Sequence, residues 1–235
     1  DLLRDRKGIT KKSVRDHLLG LDKDRITIPV PDAEGRYINV RKWSPTDKKR
    51  KVINLKGRGK KVLFPLSSVF GGENTIIVTE GELKALLLIQ MGFTAVSPTG
   101  GASTWSGSWN PLFQDKDVYI MYDVDRAGKR NAQKVARSLY SHAKSVKIVD
   151  LPIDSNEYPT GDITDFVVNL NMGATEVEEC LNKAVAWEPA PLKIELDEDK
   201  EIHGVHLSHS SKAEFFHKFV KTNVVVSAKD TAPYI

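Results

Sequence analysis

The chain has 235 residues, of which 40% are hydrophobic and 28% charged, which is typical of a water-soluble protein with one large or two small domains. Its single cysteine, Cys180, excludes a disulfide framework and a zinc site of four thiolates, and favours a reducing, cytoplasmic compartment. No run of about 18 apolar residues occurs, so the sequence predicts no membrane span.

The net charge of +4 is unevenly distributed along the chain. Residues 1–66 contain 19 Lys and Arg against 8 Asp and Glu, a balance of +11, and the remaining residues carry −7. A basic first part and an acidic second part indicate one region that contacts phosphates and another that could hold a metal ion. A solvated charged surface would give the same counts.

The first 72 residues are predicted to form a small, basic, strand-rich α+β subdomain. A short helix is expected over residues 10–19, where Thr10 can cap its start and Gly20 ends it. Apolar alternation bounded by turn residues then predicts short, mostly antiparallel strands over residues 25–30, 37–43, 52–55 and 62–65.

From residue 73 the pattern changes to strands that alternate with helices, which predicts an α/β domain with a parallel sheet and flanking helices, ending near residue 187. The strands are expected over residues 75–79, 94–97, 117–122 and 145–150, and the helices over 82–91, 128–142, 163–169 and 174–186. Residues 188–200, which contain prolines and then an acidic stretch, predict a linker. Residues 201–235 are expected to be a C-terminal extension of unassigned role.

Acidic residues follow three of the predicted parallel strands: Glu80, then Asp123 and Asp125, then Asp162 and Asp165. Ligands of open α/β sheets bind beyond the carboxyl ends of the strands, so these side chains are expected at one edge, with Asp123 and Asp125 pointing the same way. Clustered carboxylates need a cation, and ligands that are all oxygen favour Mg²⁺ or Mn²⁺. Each acid alone could instead be a helix cap or a surface carboxylate, and Asp165 is equally well explained as a cap.

The Glu80-Gly81 pair and the Asp-Val-Asp-Arg-Ala-Gly motif at residues 123–128 resemble the signature of the Toprim domain, over roughly residues 73–168. This domain is shared by bacterial-type and phage primases, type IA and type II topoisomerases, and OLD-type nucleases. The segment at residues 161–166 is similar to the one that closes the domain in primases. The resemblance implies that Glu80, Asp123, Asp125, Asp162 and Asp165 hold Mg²⁺, which Mn²⁺ can replace, with Glu80 as either a ligand or a general base.

The upstream region separates the primases from the other Toprim families. Residues 8–70 are similar, in order, to the N-terminal half of the primase polymerase core, which topoisomerases and OLD-type nucleases lack. In that family the basic residues of this half line the groove for template and product. By position, the resemblance assigns this role to Arg41, Lys51, Asn54, Lys56, Lys60 and Lys61. The last two could equally belong to a solvated turn.

Three further features are open to more than one interpretation. Lys84 stands where many primases have an acid, so it could contact a phosphate or be a solvated helix lysine. Backbone N–H groups of Gly100 and Gly101 could meet phosphates, or these residues could form a plain connecting loop. The tryptophans could stack on bases or pack against hydrophobic surface: Trp43, Trp105 and Trp109.

The resemblance implies a DNA primase core, a DNA-directed RNA polymerase that joins NTPs into short primers on single-stranded DNA and forms an RNA–DNA hybrid. It also implies a zinc-binding module outside this chain and a replicative helicase, fused or separate, in the cytoplasm of a prokaryotic or phage-infected cell. The alternatives are a Toprim-type nuclease, disfavoured by the basic upstream module, and a non-catalytic single-stranded nucleic-acid-binding module, disfavoured by the intact acidic set.

Overall fold

A computed structural model of the chain describes residues 2–47, 49–190, 192–194 and 224–226. The chain divides into two compact units, Asp1–Trp187 and Glu188–Ile235. The first unit contains two sheets, and all the residues proposed above for a functional site belong to it.

The first unit opens with two short helices and a four-stranded antiparallel sheet in the order β1-β2-β3-β4. Thr10 caps the second helix as predicted, because its hydroxyl accepts a hydrogen bond from the backbone N–H of Ser13 at 3.1 Å. The first helix and the first strand were not predicted. The elements are α1 (Leu2–Lys7), α2 (Lys11–Asp16), β1 (Gly20–Asp22), β2 (Arg25–Pro31), β3 (Tyr37–Trp43) and β4 (Val52–Asn54).

A six-stranded mixed sheet follows, and its four central strands are parallel, which confirms the predicted α/β class. Its strands are β5 (Leu63–Phe64), β6 (Thr75–Thr79), β7 (Ala95–Pro98), β8 (Asp117–Met121), β9 (Ser145–Ile148) and β10 (Val185–Ala186), in the order β10-β9-β8-β6-β7-β5. Its α-helices are α3 (Ser67–Phe70), α4 (Glu82–Gln90), α5 (Arg126–Leu139) and α6 (Ala174–Lys183). Short 3₁₀-helices cover Ala102–Thr104 and Gly107–Phe113, and a π-helical turn covers Asp165–Asn169.

Both edges of this sheet differ from the predicted pattern. The helix expected to reach residue 186 ends at Lys183, because Val185–Ala186 pairs antiparallel with β9. At the other edge, Leu63–Phe64 pairs antiparallel with β7. A segment of the basic N-terminal region therefore belongs to the second sheet, and the division expected after residue 72 does not separate the two sheets.

The central strand β6 is buried on both faces, which explains its uninterrupted apolar sequence. Ile77 belongs to the same hydrophobic cluster as Leu86 of α4 and Ile28 of β2, so the antiparallel sheet, α4 and one face of the mixed sheet share a hydrophobic core. Ile76 and Val78 point to the opposite face, where α5 packs. This shared core fixes the basic sheet beside the carboxyl ends of the parallel strands.

In the second unit, β11 (Leu192–Ile194) and β12 (Val224–Val226) pair in parallel. The predicted linker at residues 188–200 thus includes β11, and most of the extension expected over residues 201–235 lies outside the described residues. Within the described ranges, no helix has the length and apolar character needed to cross a membrane.

Candidate active site

The turn from β6 into α4 positions Glu80. Gly81 precedes the helix with φ of +104°, a backbone conformation that favours glycine, and its N–H donates to Ser97 Oγ of β7 at 2.7 Å. A Cβ atom at Gly101 would lie 3.7 Å from Glu80 Oε1, so the loop that follows β7 runs alongside this carboxylate. The Gly100-Gly101 loop therefore lies beside Glu80.

The turn from β8 into α5 positions Asp123 and Asp125. Gly128 packs so closely that a Cβ there would lie 2.1 Å from the carbonyl oxygen of Asp123, which leaves room for glycine alone. Asp125 caps α5 by accepting the Gly128 N–H at 2.6 Å. Because β8 ends at Met121, both aspartates lie beyond the strand, and the prediction that strand alternation points them the same way was wrong.

The segment after β9 brings Asp162 to the same place. The Val124 N–H donates to the Gly161 carbonyl at 2.9 Å, which ties this segment to the turn after β8. Asp162 Oδ1 accepts the backbone N–H groups of Thr164 and Asp165 at 2.6 and 3.2 Å, and Asp165 Oδ2 accepts the Asp162 N–H at 3.0 Å. Asp165 therefore helps to hold the backbone of Asp162 in place through this hydrogen bond.

Lys84 joins two of these carboxylates. Its Nζ lies 2.5 Å from Asp123 Oδ1 and 2.8 Å from Asp162 Oδ2, and the lysine side chain is 13% exposed, so it is not a solvated helix residue. Burial would lower the pKa of Lys84, but the carboxylates of Asp162 and Asp123 outweigh it and raise that pKa above its usual value. Burial raises the pKa of Asp123 to about 6, with Lys84 opposing the rise and Glu80 adding to it.

Glu80, Lys84 and Asp123 line a cleft of about 330 Å³ that combines acidic and basic side chains. A second cleft of about 570 Å³ is also lined by Lys7, Trp43 and Lys51. The polar and glycine residues of the first cleft are Lys7, Arg41, Lys51, Glu80, Gly81, Glu82, Lys84, Gly100, Gly101 and Asp123. A carboxylate edge therefore faces a basic wall contributed by the antiparallel sheet and α1.

The predicted basic residues fall into three groups. Lys51 lines both clefts. Arg41 is buried, with its Nε 2.6 Å from Glu82 Oε1 of α4 and its Nη1 2.9 Å from Asn54 Oδ1. Arg41 therefore joins the antiparallel sheet to α4, and Asn54 is held by Arg41 and Asn39 within that sheet. The third group is exposed and does not line either cleft: Lys56, Lys60 and Lys61.

Lys7 lines both clefts but was not predicted from the sequence. Its Nζ lies 5.7 Å from the ring centroid of Trp43, and burial lowers its pKa. Within the described parts of the chain it forms no ion pair, although Asp162 and Asp165 are close enough to influence it. No local pattern distinguishes Lys7 from the other basic residues of the first region, because only the packing of α1 brings it to the cleft.

The three tryptophans considered for base stacking lie in two different environments. Trp43 lines the clefts, whereas Trp105 packs edge-on against Trp109 with 5.6 Å between ring centroids and also contacts Phe113 at 5.4 Å. Trp105 and Trp109 thus pack against the hydrophobic core.

Tyr122 was also not predicted as a residue near the site. Its buried hydroxyl has no hydrogen-bond partner among the described residues, and its pKa is raised by burial and then by the charges of Glu80 and Asp123.

The donor chemistry of the cleft fits a hard divalent cation. Glu80 and Asp123 both line it, and both offer only oxygen. Across the residues that the structure describes, no three His, Cys, Asp or Glu side chains are grouped so that they alone could hold a metal ion. Mg²⁺ is commonly held by one or two carboxylates, with substrate phosphates and water completing its coordination, so Glu80 and Asp123 would be the protein ligands.

Residues 77–159 match a family described as Toprim-like. The chain is 30% identical over 117 residues to the DNA helicase/primase of Enterobacteria phage T3 and 31% identical over 129 residues to a DNA primase of Helicobacter pylori. These matches cover 46% and 49% of this chain but only 20% and 22% of the relatives. The chain thus spans about a fifth of the length of the curated relatives that it matches.

The fold is also that of primase cores. The crystal structure of the Aquifex aeolicus primase, which contains zinc-binding and RNA polymerase domains, superposes with a TM-score of 0.64 at 24% identity. The superposition covers 80% of this chain and 58% of that one. The predicted Toprim fold and the predicted resemblance to Toprim-domain DNA primases are confirmed.

Proposed function

We propose that this chain, which contains a Toprim-like domain within the fold of primase cores, is the catalytic core of a DNA primase. Its reaction is nucleotidyl transfer: the 3′-hydroxyl of one nucleotide attacks the α-phosphate of an incoming NTP opposite a single-stranded DNA template, and pyrophosphate leaves. The observation that carries the proposal is that the carboxylates of Glu80 and Asp123 share one cleft with Lys7 and Lys51.

The chain's own residues act in this reaction by position and charge. Lys7 and Lys51 bind phosphates of the triphosphate or the template, because they are the cleft-lining cations without an ion pair among the described residues. Trp43 presents its ring beside Lys7, and the Gly100-Gly101 loop borders Glu80. Arg41 positions α4, and with it Glu82 and the neighbouring Glu80, through its buried ion pair.

Glu80 and Asp123 would hold Mg²⁺, or Mn²⁺ in its place. When bound, the ion would neutralise phosphate charge and lower the pKa of the attacking hydroxyl. Glu80 serves either as a ligand of this ion or as a general base towards the hydroxyl. Asp125 and Asp165 act through the backbone, by capping α5 and by bracing Asp162.

The relatives extend the proposal to partners. One is a helicase/primase and another contains a zinc-binding domain, so we include a replicative helicase, fused or separate, and a zinc-binding module outside this chain. Single-stranded DNA, NTPs and the RNA–DNA hybrid are the substrates and the product. The setting would be DNA replication in the cytoplasm of a prokaryotic or phage-infected cell.

The test is to incubate the chain with single-stranded DNA, labelled NTPs and Mg²⁺ or Mn²⁺. Short oligoribonucleotides are expected from the wild type and from Glu178→Gln, a control that removes an exposed carboxylate of α6. Asp123→Asn is expected to lose at least about 100-fold in product while it still binds DNA. Shortened DNA without oligoribonucleotides would instead identify a nuclease, and DNA binding without either product would identify a binding module.

A further inference from the structure

Lys84 places a positively charged side chain between two carboxylates of the site. Lys84 lies on the first turns of α4, and its ammonium group contacts Asp123 at 2.5 Å and Asp162 at 2.8 Å. All three side chains are at most one-fifth exposed, so the contacts are shielded from water and salt. Two of the three N–H donors of the ammonium group are therefore directed at carboxylates of different loops.

We propose, building on the primase function above, that the ammonium group of Lys84 takes the place of one divalent cation between Asp123 and Asp162. The site then binds a single metal ion, held by Glu80 and Asp123, where its set of carboxylates would otherwise accept two.

The charges on the residues support this assignment. Asp123 and Asp162 together carry −2 and Lys84 carries +1, so the three side chains retain a net charge of −1. A divalent ion between these two carboxylates would have to displace a buried, doubly paired ammonium group or remain close to it. Repulsion between the two cations at such short range disfavours that arrangement.

The same charges argue against a phosphate-binding role for Lys84. Its positive charge is already more than balanced by its two carboxylate partners, so it offers no net attraction to an anion. Lys7 and Lys51 lie in the same cleft without such partners among the described residues, and they are better suited to phosphates.

The test counts bound ions without measuring activity. The whole chain and three variants are titrated with Mn²⁺, and the bound ions are counted from the loss of the electron paramagnetic resonance signal of free Mn²⁺. We expect one ion on the wild type and on Lys84→Arg, which keeps the charge. Lys84→Glu, which replaces the cation with another carboxylate, is expected to bind two.

The third variant, Lys84→Gln, keeps the inference testable if Lys84→Glu does not fold. Lys84→Gln removes the charge without adding a ligand, and it is expected to bind Mn²⁺ at least about tenfold more tightly than the wild type. Circular dichroism verifies that each variant is folded. An unchanged affinity for Lys84→Gln, or one ion on folded Lys84→Glu, contradicts the inference.

Different ion counts would contradict the role of Lys84 and the proposed polymerase function. Two ions on the wild type would overturn the role of Lys84 and leave the polymerase function intact. No ion on any of the four proteins would overturn both, because Glu80 and Asp123 would then hold no metal. One ion on the wild type with two on Lys84→Glu supports the inference even if the isolated chain makes little primer.

Discussion

Arg41 Nε lies 2.6 Å from Glu82 Oε1, and this ion pair joins the antiparallel sheet to the helix that follows Glu80. The two side chains are 9% and 5% exposed, so the pair is buried. Glu82 stands at the first position of α4, two residues after Glu80. The pair therefore fixes the basic sheet relative to the acidic edge of the cleft.

Removal of the Arg41 guanidinium should destabilise the fold. Arg41→Ala leaves Glu82 buried without a cation, and we expect the free energy of unfolding in urea to fall by about 3–5 kcal/mol. Arg36→Ala is the matched control, because Arg36 is mostly exposed and its ion pairs contribute about 1 kcal/mol or less. If Arg41→Ala were as stable as Arg36→Ala but lost DNA affinity, Arg41 would instead contact nucleic acid directly.

A methyl group at Gly128 should disturb the turn that carries Asp123. Its Cβ would lie 2.1 Å from the Asp123 carbonyl oxygen, so the start of α5 or the aspartate has to move. We expect Gly128→Ala to lose about 3 kcal/mol of stability and to bind Mn²⁺ more weakly. Gly71→Ala is the control, because a Cβ there would be 3.7 Å from the nearest backbone atom, with φ of −70°. Equal stability of the two variants would show that the close packing at Gly128 is not required.

Metal affinity should depend on pH through Asp123. Its pKa is raised to about 6, so in the metal-free protein the carboxylate is ionised above about pH 6 and gains a proton as the pH falls. Mn²⁺ competes with that proton, so affinity should be constant above pH 7 and fall by about tenfold per unit below pH 6. The titration is measured by calorimetry from pH 5 to pH 8. Affinity that stays constant down to pH 5 would show that Asp123 does not ligate the ion.

The same pKa predicts how Asp123 affects stability without metal. The folded-state pKa exceeds the ordinary value of 3.8, so the folded protein binds more protons than the unfolded chain between about pH 4 and pH 6. The contribution of Asp123 to stability is therefore most favourable below pH 4 and is lost as the pH rises through about 6. Denaturation with chelator present, compared between wild type and Asp123→Asn across this range, should show this difference.

Lys7 and Lys51 should account for much of the salt-dependent binding. Lys7→Ala and Lys51→Ala should each weaken binding of single-stranded DNA or NTP on the order of tenfold, and lower the slope of log affinity against log salt by about 0.7 per lost DNA phosphate contact. Lys134→Ala is the control, because Lys134 is exposed on α5 and lines neither cleft. If all three variants bound alike, phosphate binding would have to lie elsewhere on the basic region.

The sequence predicted the elements whose local signals are strong. Thr10 marked a helix start, the apolar run at β6 marked a buried strand, and Gly81 marked the turn that carries Glu80. These signals depend on neighbouring residues, so they can be recognised without knowledge of the tertiary structure. The α/β class of the second sheet follows from such signals, whereas the confirmed Toprim fold was expected from the resemblance at residues 80–81 and 123–128.

Contacts between distant residues could not be predicted. Arg41 meets Glu82 across 41 positions, and Leu63–Phe64 pairs with β7 rather than with the preceding strands. Lys84 was expected either to contact a phosphate or to be a solvated helix lysine, and its carboxylate partners were not foreseen because Asp123 and Asp162 belong to loops far along the chain. Pairs of this kind are set by how the sheets and helices pack, and no local periodicity records them.

Anomalous diffraction from crystals of the chain grown with Mn²⁺ and a non-hydrolysable NTP would locate the metal ion and the triphosphate. We expect one manganese peak in the cleft, within ligating distance of the carboxylates of Glu80 and Asp123, with the triphosphate beside Lys7 and Lys51. A cleft without manganese at saturating concentration, or manganese bound away from Glu80 and Asp123, would contradict this expectation.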